Sequence, residues 1–195
     1  MSADPYVDPL TGVFRNKLGI TDTQQLQRVE RRLTRAALLR LAEHPLPGRY
    51  DLAHLQTFHL ALFGDIYTWA GHIRTVDIAR TDFFAHHTYI ESYAGDVFRR
   101  LADEHHLHGF DLDRFVERLV YYFAEVNALH PFREGNGRTQ RAFFGQMAAE
   151  AGWRIGWEQL DPELNITASI ASLRGDDRAL EAMLRSLVAA VAGRS

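Results

Sequence analysis

The segment His130-Pro131-Phe132-Arg133-Glu134-Gly135-Asn136-Gly137-Arg138-Thr139-Gln140-Arg141 constrains the fold more than any other. On its N-terminal side apolar residues recur at helical spacing from Phe115 through Leu129, and helical spacing returns after Asn136 and runs to Ala151. Residues 115–151 therefore read as helix, turn, helix. Pro131 interrupts the first helix, and the two glycines let the backbone turn tightly and approach a ligand closely. A helix that starts at Gly-Asn-Gly is an anion site in waiting, because unpaired N–H groups and the positive end of the helix dipole point at the same spot.

The rest of the chain fits around this unit. Asp22 is placed to cap a helix carrying Leu26, Val29, Leu33, Ala36, Ala37 and Leu41 at helical spacing, which Pro45 and Pro47 stop. Asp51 caps a second, running to about Phe63 with Leu55, Phe58, His59 and Leu62 on one face. Helical spacing recurs from Tyr89 to Leu101 and in two stretches within 160–191. Ile73, Thr75, Val76, Ile78, Phe83 and Phe84 bring β-branched and aromatic character, which predicts a small β-hairpin over 73–85. Residues 1–20 predict an ordered, irregular arm packed on the body. The stripe Phe115, Leu119, Tyr122, Phe123 and Val126 reads as core. No repeat or linker divides the chain, so the expectation is one mainly helical domain over residues 1–195 with one short ribbon.

Composition excludes several classes. At 195 residues, 46% hydrophobic and 24% charged, the chain is long enough to bury a core. A formal net charge of −3 gives no general reason to expect nucleic acid or an anionic membrane as partner. The absence of cysteine removes disulfide frameworks and Cys-based zinc sites and makes the cytoplasm the simplest location. The start, Met1-Ser2-Ala3-Asp4-Pro5, lacks a signal-peptide pattern, and no apolar run reaches the roughly 18 residues of a membrane span.

Around the Gly-Asn-Gly turn the sequence gathers groups suited to a metal-nucleotide complex. Glu134 is a hard oxygen donor of the kind Mg2+ takes alongside waters and phosphate oxygens. Arg138 and Arg141 share a helix face and can both reach phosphate oxygens. His130 precedes the turn, where a neutral imidazole takes a proton from an attacking hydroxyl near neutral pH. Each alone would be read as a capping histidine or a solvated charge; the constellation makes them a site. His86-His87 and His105-His106-x-His108 lack His-Glu-x-x-His or comparable ligand spacing, so a dedicated zinc site is not expected.

The segment is similar to the Fic family motif, His-x-Phe-x-(Asp/Glu)-Gly-Asn-Gly-Arg-x-x-Arg, and meets every fixed position. The resemblance extends to Asn16-Lys17-Leu18-Gly19 in the arm, Trp69-Ala70-Gly71 before Ile73-Arg74-Thr75, and Gly175-Asp176 before Leu180. It implies an all-helical core with a hairpin flap over the site, and a protein adenylyltransferase that moves AMP from ATP to a Tyr, Thr or Ser hydroxyl of a target protein. His130 is then the base, and Glu134 the Mg2+ ligand. Gly135, Asn136 and Gly137 cradle phosphates through main-chain N–H groups and the Asn amide, and Arg138 and Arg141 bind the β- and γ-phosphates. The flap, at Ala79, Arg80 and Thr81, positions the target by strand addition, and adenine is expected near Asn165, Ile166 and Leu173.

Many members resembling this chain are restrained by a Ser/Thr-x-x-x-Glu-Gly/Asn helix. No Ser or Thr here has Glu four positions later in the arm or near the C-terminus. The resemblance then implies a separate small antitoxin that supplies a glutamate to Arg141, and a type II topoisomerase as a target class. Two alternatives are a Fic-like enzyme using another nucleotide or transferring phosphate, which tends to lose the glycine kept here as Gly137, and a silent nucleotide- or partner-binding module, against which the intact His130 argues.

Overall fold

The computed structural model describes residues 4–78 and 84–191. Helices dominate: α1 (Thr23–Glu43), α2 (Leu52–Phe63), α3 (Ile90–Asp103), α4 (Leu112–Leu129), α5 (Asn136–Glu150), α6 (Pro162–Leu173) and α7 (Arg178–Leu187). Aspartates fix several starts. Asp22 accepts from Gln25 N–H at 2.7 Å, Asp51 from His54 N–H at 2.8 Å, and Asp111 from Arg114 N–H at 2.9 Å. Asp161 does the same for Glu163 and Leu164, with Pro162 in the first turn. Each such cap stabilises its helix by about 1 kcal/mol. α4 thus begins at Leu112, directly after its Asp111 cap and ahead of Phe115.

The core lies between α4 and α5. Phe115, Leu119, Tyr122, Phe123, Val126 and Leu129 are buried, as the stripe in the sequence requires. They meet Phe144 and Met147 of α5, while Phe143 collects the rings of Tyr50, Phe58 and Phe98 at centroid distances of 5.4, 5.7 and 5.8 Å. A second cluster joins the arm to α1 and α2: Tyr6 meets Trp69 edge-on at 5.5 Å, and Val13, Leu26, Phe63 and Tyr67 are buried beside them. Asn16 holds the arm's turn with side-chain bonds to Phe14 O, Ile20 O and Ile20 N. Over its described residues, 4–20, the arm is irregular and packs on the body.

Among the described residues the strands form one two-stranded sheet. β1 (Trp153–Ile155) pairs antiparallel with β2 (Val188–Ala190), Trp153 opposite Ala190 and Ile155 opposite Val188. The described residues between 73 and 85 form no strand. Their polar groups turn to the motif segment instead: Arg74 N–H donates to Pro131 O at 2.9 Å, and Ala85 N–H to Ala128 O at 2.9 Å. The expected flap residues Ala79, Arg80 and Thr81 lie outside the described residues. Among the described residues no helix is long and apolar enough to cross a membrane.

Candidate active site

α4 ends at Leu129, and His130 follows in the left-handed region at φ 43°. A non-glycine residue there is strained by about 1 kcal/mol or more, a cost that recurs at functional sites. Its N–H bonds Val126 O at 3.1 Å, and its Nδ1 lies 3.3 Å from Asn127 O. That contact puts the ring proton on Nδ1 and leaves Nε2 as the acceptor. Phe84 stacks on the imidazole at 3.7 Å, which fixes the ring plane.

The turn is then built to bring the start of α5 beside this ring. Gly135 sits at φ 83°, and a Cβ there would lie 2.3 Å from the Phe63 ring, so only glycine fits. Asn136 is buried; its Oδ1 accepts from Phe132 N–H at 2.9 Å and its Nδ2 donates to Phe132 O at 2.8 Å. The Asn136 side chain thus closes the loop with its oxygen and one of its two amide hydrogens. Its main-chain N–H remains, together with those of Gly137 and Arg138, without an acceptor among the described residues.

His59 of α2 supports the same loop from below. Its Nε2 donates to Glu134 O at 3.0 Å and its Nδ1 accepts from Gly71 N–H at 2.8 Å. The ring is fully buried and stacked 3.9 Å from Phe132. Burial, above all, pushes its pKa down to about 4, so it is a neutral strut. The sequence reads His59 only as one residue of an apolar helix face; nothing local distinguishes it, because its partners come from Glu134 and Gly71.

A cavity of about 360 Å³ opens over the α5 start. It brings together every residue of the motif proposed for chemistry: His130, Glu134, Gly135, Asn136, Gly137, Arg138 and Arg141. Its far wall is α6, with Asn165, Ile166 and Leu173, the trio expected near adenine. Asn165 Oδ1 is buried with no hydrogen-bond partner among the described residues, an acceptor that calls for a donor from a ligand. The Glu134 carboxylate takes Gly135 N–H on Oε1 at 2.9 Å and is about a third exposed, so its second oxygen is left for a hard cation.

The two arginines differ. Arg138 lies 2.7 Å from Glu30 and 3.5 Å from Glu134. Arg141 has no carboxylate partner among the described residues, and burial followed by the charge of Arg138 lowers its pKa from the usual guanidinium value. It stays a cation that wants an anion. Arg141 also lines a second cleft of about 630 Å³ between the arm and α1, with Phe14, Gln27 and Arg31.

Asp77 gathers His86 and His87, at 2.9 and 3.0 Å, into a group whose ligand atoms lie within 4.8 Å of one another. The carboxylate already takes His87 N–H at 2.8 Å and stands 3.6 Å from the Arg74 guanidinium. These contacts hold the two ends of the segment around 79–83.

A helical body that offers unpaired amides, two guanidiniums and a histidine to one cleft defines a phosphate-binding, transferase-type site. Residues 49–148 match the Fic/DOC family, and the chain belongs to that family. It is 46% identical over 185 residues to protein adenylyltransferase VbhT of Bartonella schoenbuchensis, covering 94% of this chain and 39% of VbhT. It is 40% identical over 195 residues to the probable protein adenylyltransferase Fic of Escherichia coli K12, covering 98% of this chain and 95% of that protein. The N-terminal Fic domain of a VirB-translocated effector from Bartonella quintana, solved with bound ADP, superposes with a TM-score of 0.89 at 25% identity, covering 96% of this chain and 95% of that one.

Proposed function

We propose that the chain is a protein adenylyltransferase that transfers AMP from ATP to the hydroxyl of a Tyr, Thr or Ser in a target protein. One observation carries the reading: the His130 ring and the unpaired amides of the α5 start share one cleft with Arg138 and Arg141. His130 Nε2 takes the hydroxyl proton as the oxygen bonds the α-phosphorus, and the bond from that phosphorus to the bridging oxygen of pyrophosphate breaks. Charge developing on the leaving pyrophosphate falls to Arg138 and Arg141, and the main-chain N–H groups of Asn136 and Gly137 hold phosphate oxygens. Glu134 is the residue to hold Mg2+, which supplies charge neutralisation on the phosphates when bound. Asn165 Oδ1 fits an exocyclic amino group, with Ile166 and Leu173 against the base face. Main-chain atoms at Ala79, Arg80 and Thr81 dock the target segment.

In the same reading the second cleft seats a small antitoxin whose glutamate pairs with Arg141 and so denies that guanidinium to the γ-phosphate. The lack of a carboxylate partner on Arg141 among the described residues supports this, as does a lining of that cleft that includes Arg141 but not His130. The enzyme then works as the toxin of a pair in the cytoplasm of a bacterium, and the identity of the labelled protein tests whether a type II topoisomerase is its target.

The test uses lysate of the native host with ATP labelled at either the α- or the γ-phosphate. Label from the α-position alone, lost in His130→Ala, is the expected result. Equal labelling by parent and His130→Ala sinks the proposal, and label arriving from the γ-position replaces it with phosphoryl transfer.

A further inference from the structure

We propose that Glu30 of α1 is a positioning residue for the β-phosphate of the nucleotide, acting through Arg138; the inference rests on reading the cleft as a nucleotide site. The buried face of α1 runs Leu26, Glu30, Thr34, Ala37, a stripe where packing alone asks for an apolar residue at position 30. A carboxylate stands there instead, with the residue only 8% exposed. Its Oε1 accepts from Arg138 Nη2 at 2.7 Å, and its Oε2 accepts a short hydrogen bond from the Tyr67 hydroxyl. Thr34 Oγ1 lies 3.5 Å from Arg138 Nη1, and the Phe63 ring lies 4.8 Å beneath the Arg138 guanidinium carbon. Burial, and then Glu30, raise the Tyr67 pKa, so the phenol stays a donor and the carboxylate is held from two sides.

Stability is a poor reason for this arrangement. A buried carboxylate–guanidinium pair offsets its own desolvation only partly, and apolar residues of similar volume often serve as well. Orientation is a better one. Arginine is a long side chain with costly rotamer freedom, but its planar fork, once anchored at one edge, presents its remaining N–H groups in a fixed direction. Here the anchored edge faces α1, and the same side chain lines the cleft over the α5 start. An anion meeting a guanidinium already held in place is bound without the entropy loss of immobilising it. Phe63 couples the two parts of the device, because the ring beneath Arg138 is also the ring against which Gly135 turns.

Calorimetric titration with ADP and with AMP, in excess Mg2+, separates this role from a general structural one. The proteins are the full chain, Glu30→Gln, Arg138→Ala and the double variant. Glu30→Gln is expected to weaken ADP roughly tenfold while leaving AMP unchanged, and to add nothing in the Arg138→Ala background. Loss of ADP and AMP in equal measure overturns the proposal, as does an ADP loss that persists in the Arg138→Ala background. Circular dichroism monitors the fold; if Glu30→Gln does not fold, Glu30→Asp keeps the charge with a shorter reach and is expected to give a smaller loss confined to ADP. A parent chain that binds neither nucleotide overturns the nucleotide reading of the cleft itself, and this inference with it.

Discussion

Arg74 Nε donates to the carbonyl oxygen of His130 at 2.8 Å, so a fully buried guanidinium holds the backbone of the proposed base. Its other nitrogens reach Val76 O at 2.8 Å, Ala85 O and Leu129 O at 3.4 Å. One side chain thus ties both ends of the segment around 79–83 to the end of α4. Arg74→Met fills similar volume but leaves several buried carbonyls without donors, which costs about 1–3 kcal/mol each. The expected outcome is a loss of roughly 3 kcal/mol or more in urea unfolding. Arg74→Lys, with one ammonium in place of a fork, is expected to recover only part. A change within 0.5 kcal/mol, ordinary for a surface substitution, would show that these bonds are not formed in solution.

His59 predicts an acid-sensitive fold. Its pKa is pushed down to about 4 in the folded chain, against an ordinary 6.5 when unfolded. Between those values the unfolded chain binds the extra proton, so stability is fully present above pH 6.5 and is lost as pH falls toward 4. The span corresponds to roughly 3 kcal/mol at most. Unfolding free energies measured at pH 7, 6, 5 and 4.5 should fall progressively in the parent. In His59→Gln the curve should be flatter over the same window, though lower at pH 7. Parallel curves for the two proteins would assign the acid sensitivity to other groups.

Arg141 predicts a separation of stability from activity. A partly buried cation with no carboxylate partner among the described residues costs free energy in the unliganded fold, and an aliphatic chain of similar length does not. Arg141→Met is therefore expected to be as stable as the parent or more stable, by up to about 1 kcal/mol. It is expected to lose ATP-dependent labelling and the upward thermal shift that ATP gives the parent. A variant that is markedly less stable would mean that Arg141 has a structural partner, and one that keeps the thermal shift would remove it from phosphate binding.

The parts of the molecule that depend on neighbours in sequence were legible. Asp22, Asp51 and the apolar spacing behind them announce α1 and α2, and the run from His130 to Arg141 announces both the turn and its charge pattern. What escaped is held by residues distant in the chain. Glu30 and Arg138 are 108 positions apart and His59 and Glu134 are 75 apart, so no window of sequence contains either pair. The described ends of the segment 73–85 are held in a related way, for Arg74 engages Val76 O and Ala85 O, and the main chain bonds Ala128 and Pro131. The proximity of the Asn136 side chain to the anion site is visible in sequence, whereas its pair of hydrogen bonds to Phe132 is not.

Gly135 gives the sharpest test of how the turn is made. Two separate penalties meet at this position: φ of 83°, which an L side chain adopts at a cost of about 1 kcal/mol, and a Cβ that would lie 2.3 Å from the Phe63 ring. The ring cannot simply retreat, because it is buried and carries the Arg138 guanidinium on its face. Gly135→Ala should therefore destabilise by roughly 2–4 kcal/mol, the sum of backbone strain and overpacking, and should abolish labelling by tilting the amides of Asn136 and Gly137. Phe63→Leu in the same chain makes room for the methyl but leaves the backbone strain. The double variant is expected to be more stable than the sum of the single losses implies, by about 1 kcal/mol or more, as coupled neighbours are. Additive losses in that double-mutant cycle would mean that the methyl and the ring never meet, and that the α5 start adopts a different turn from the one that brings its amides to His130.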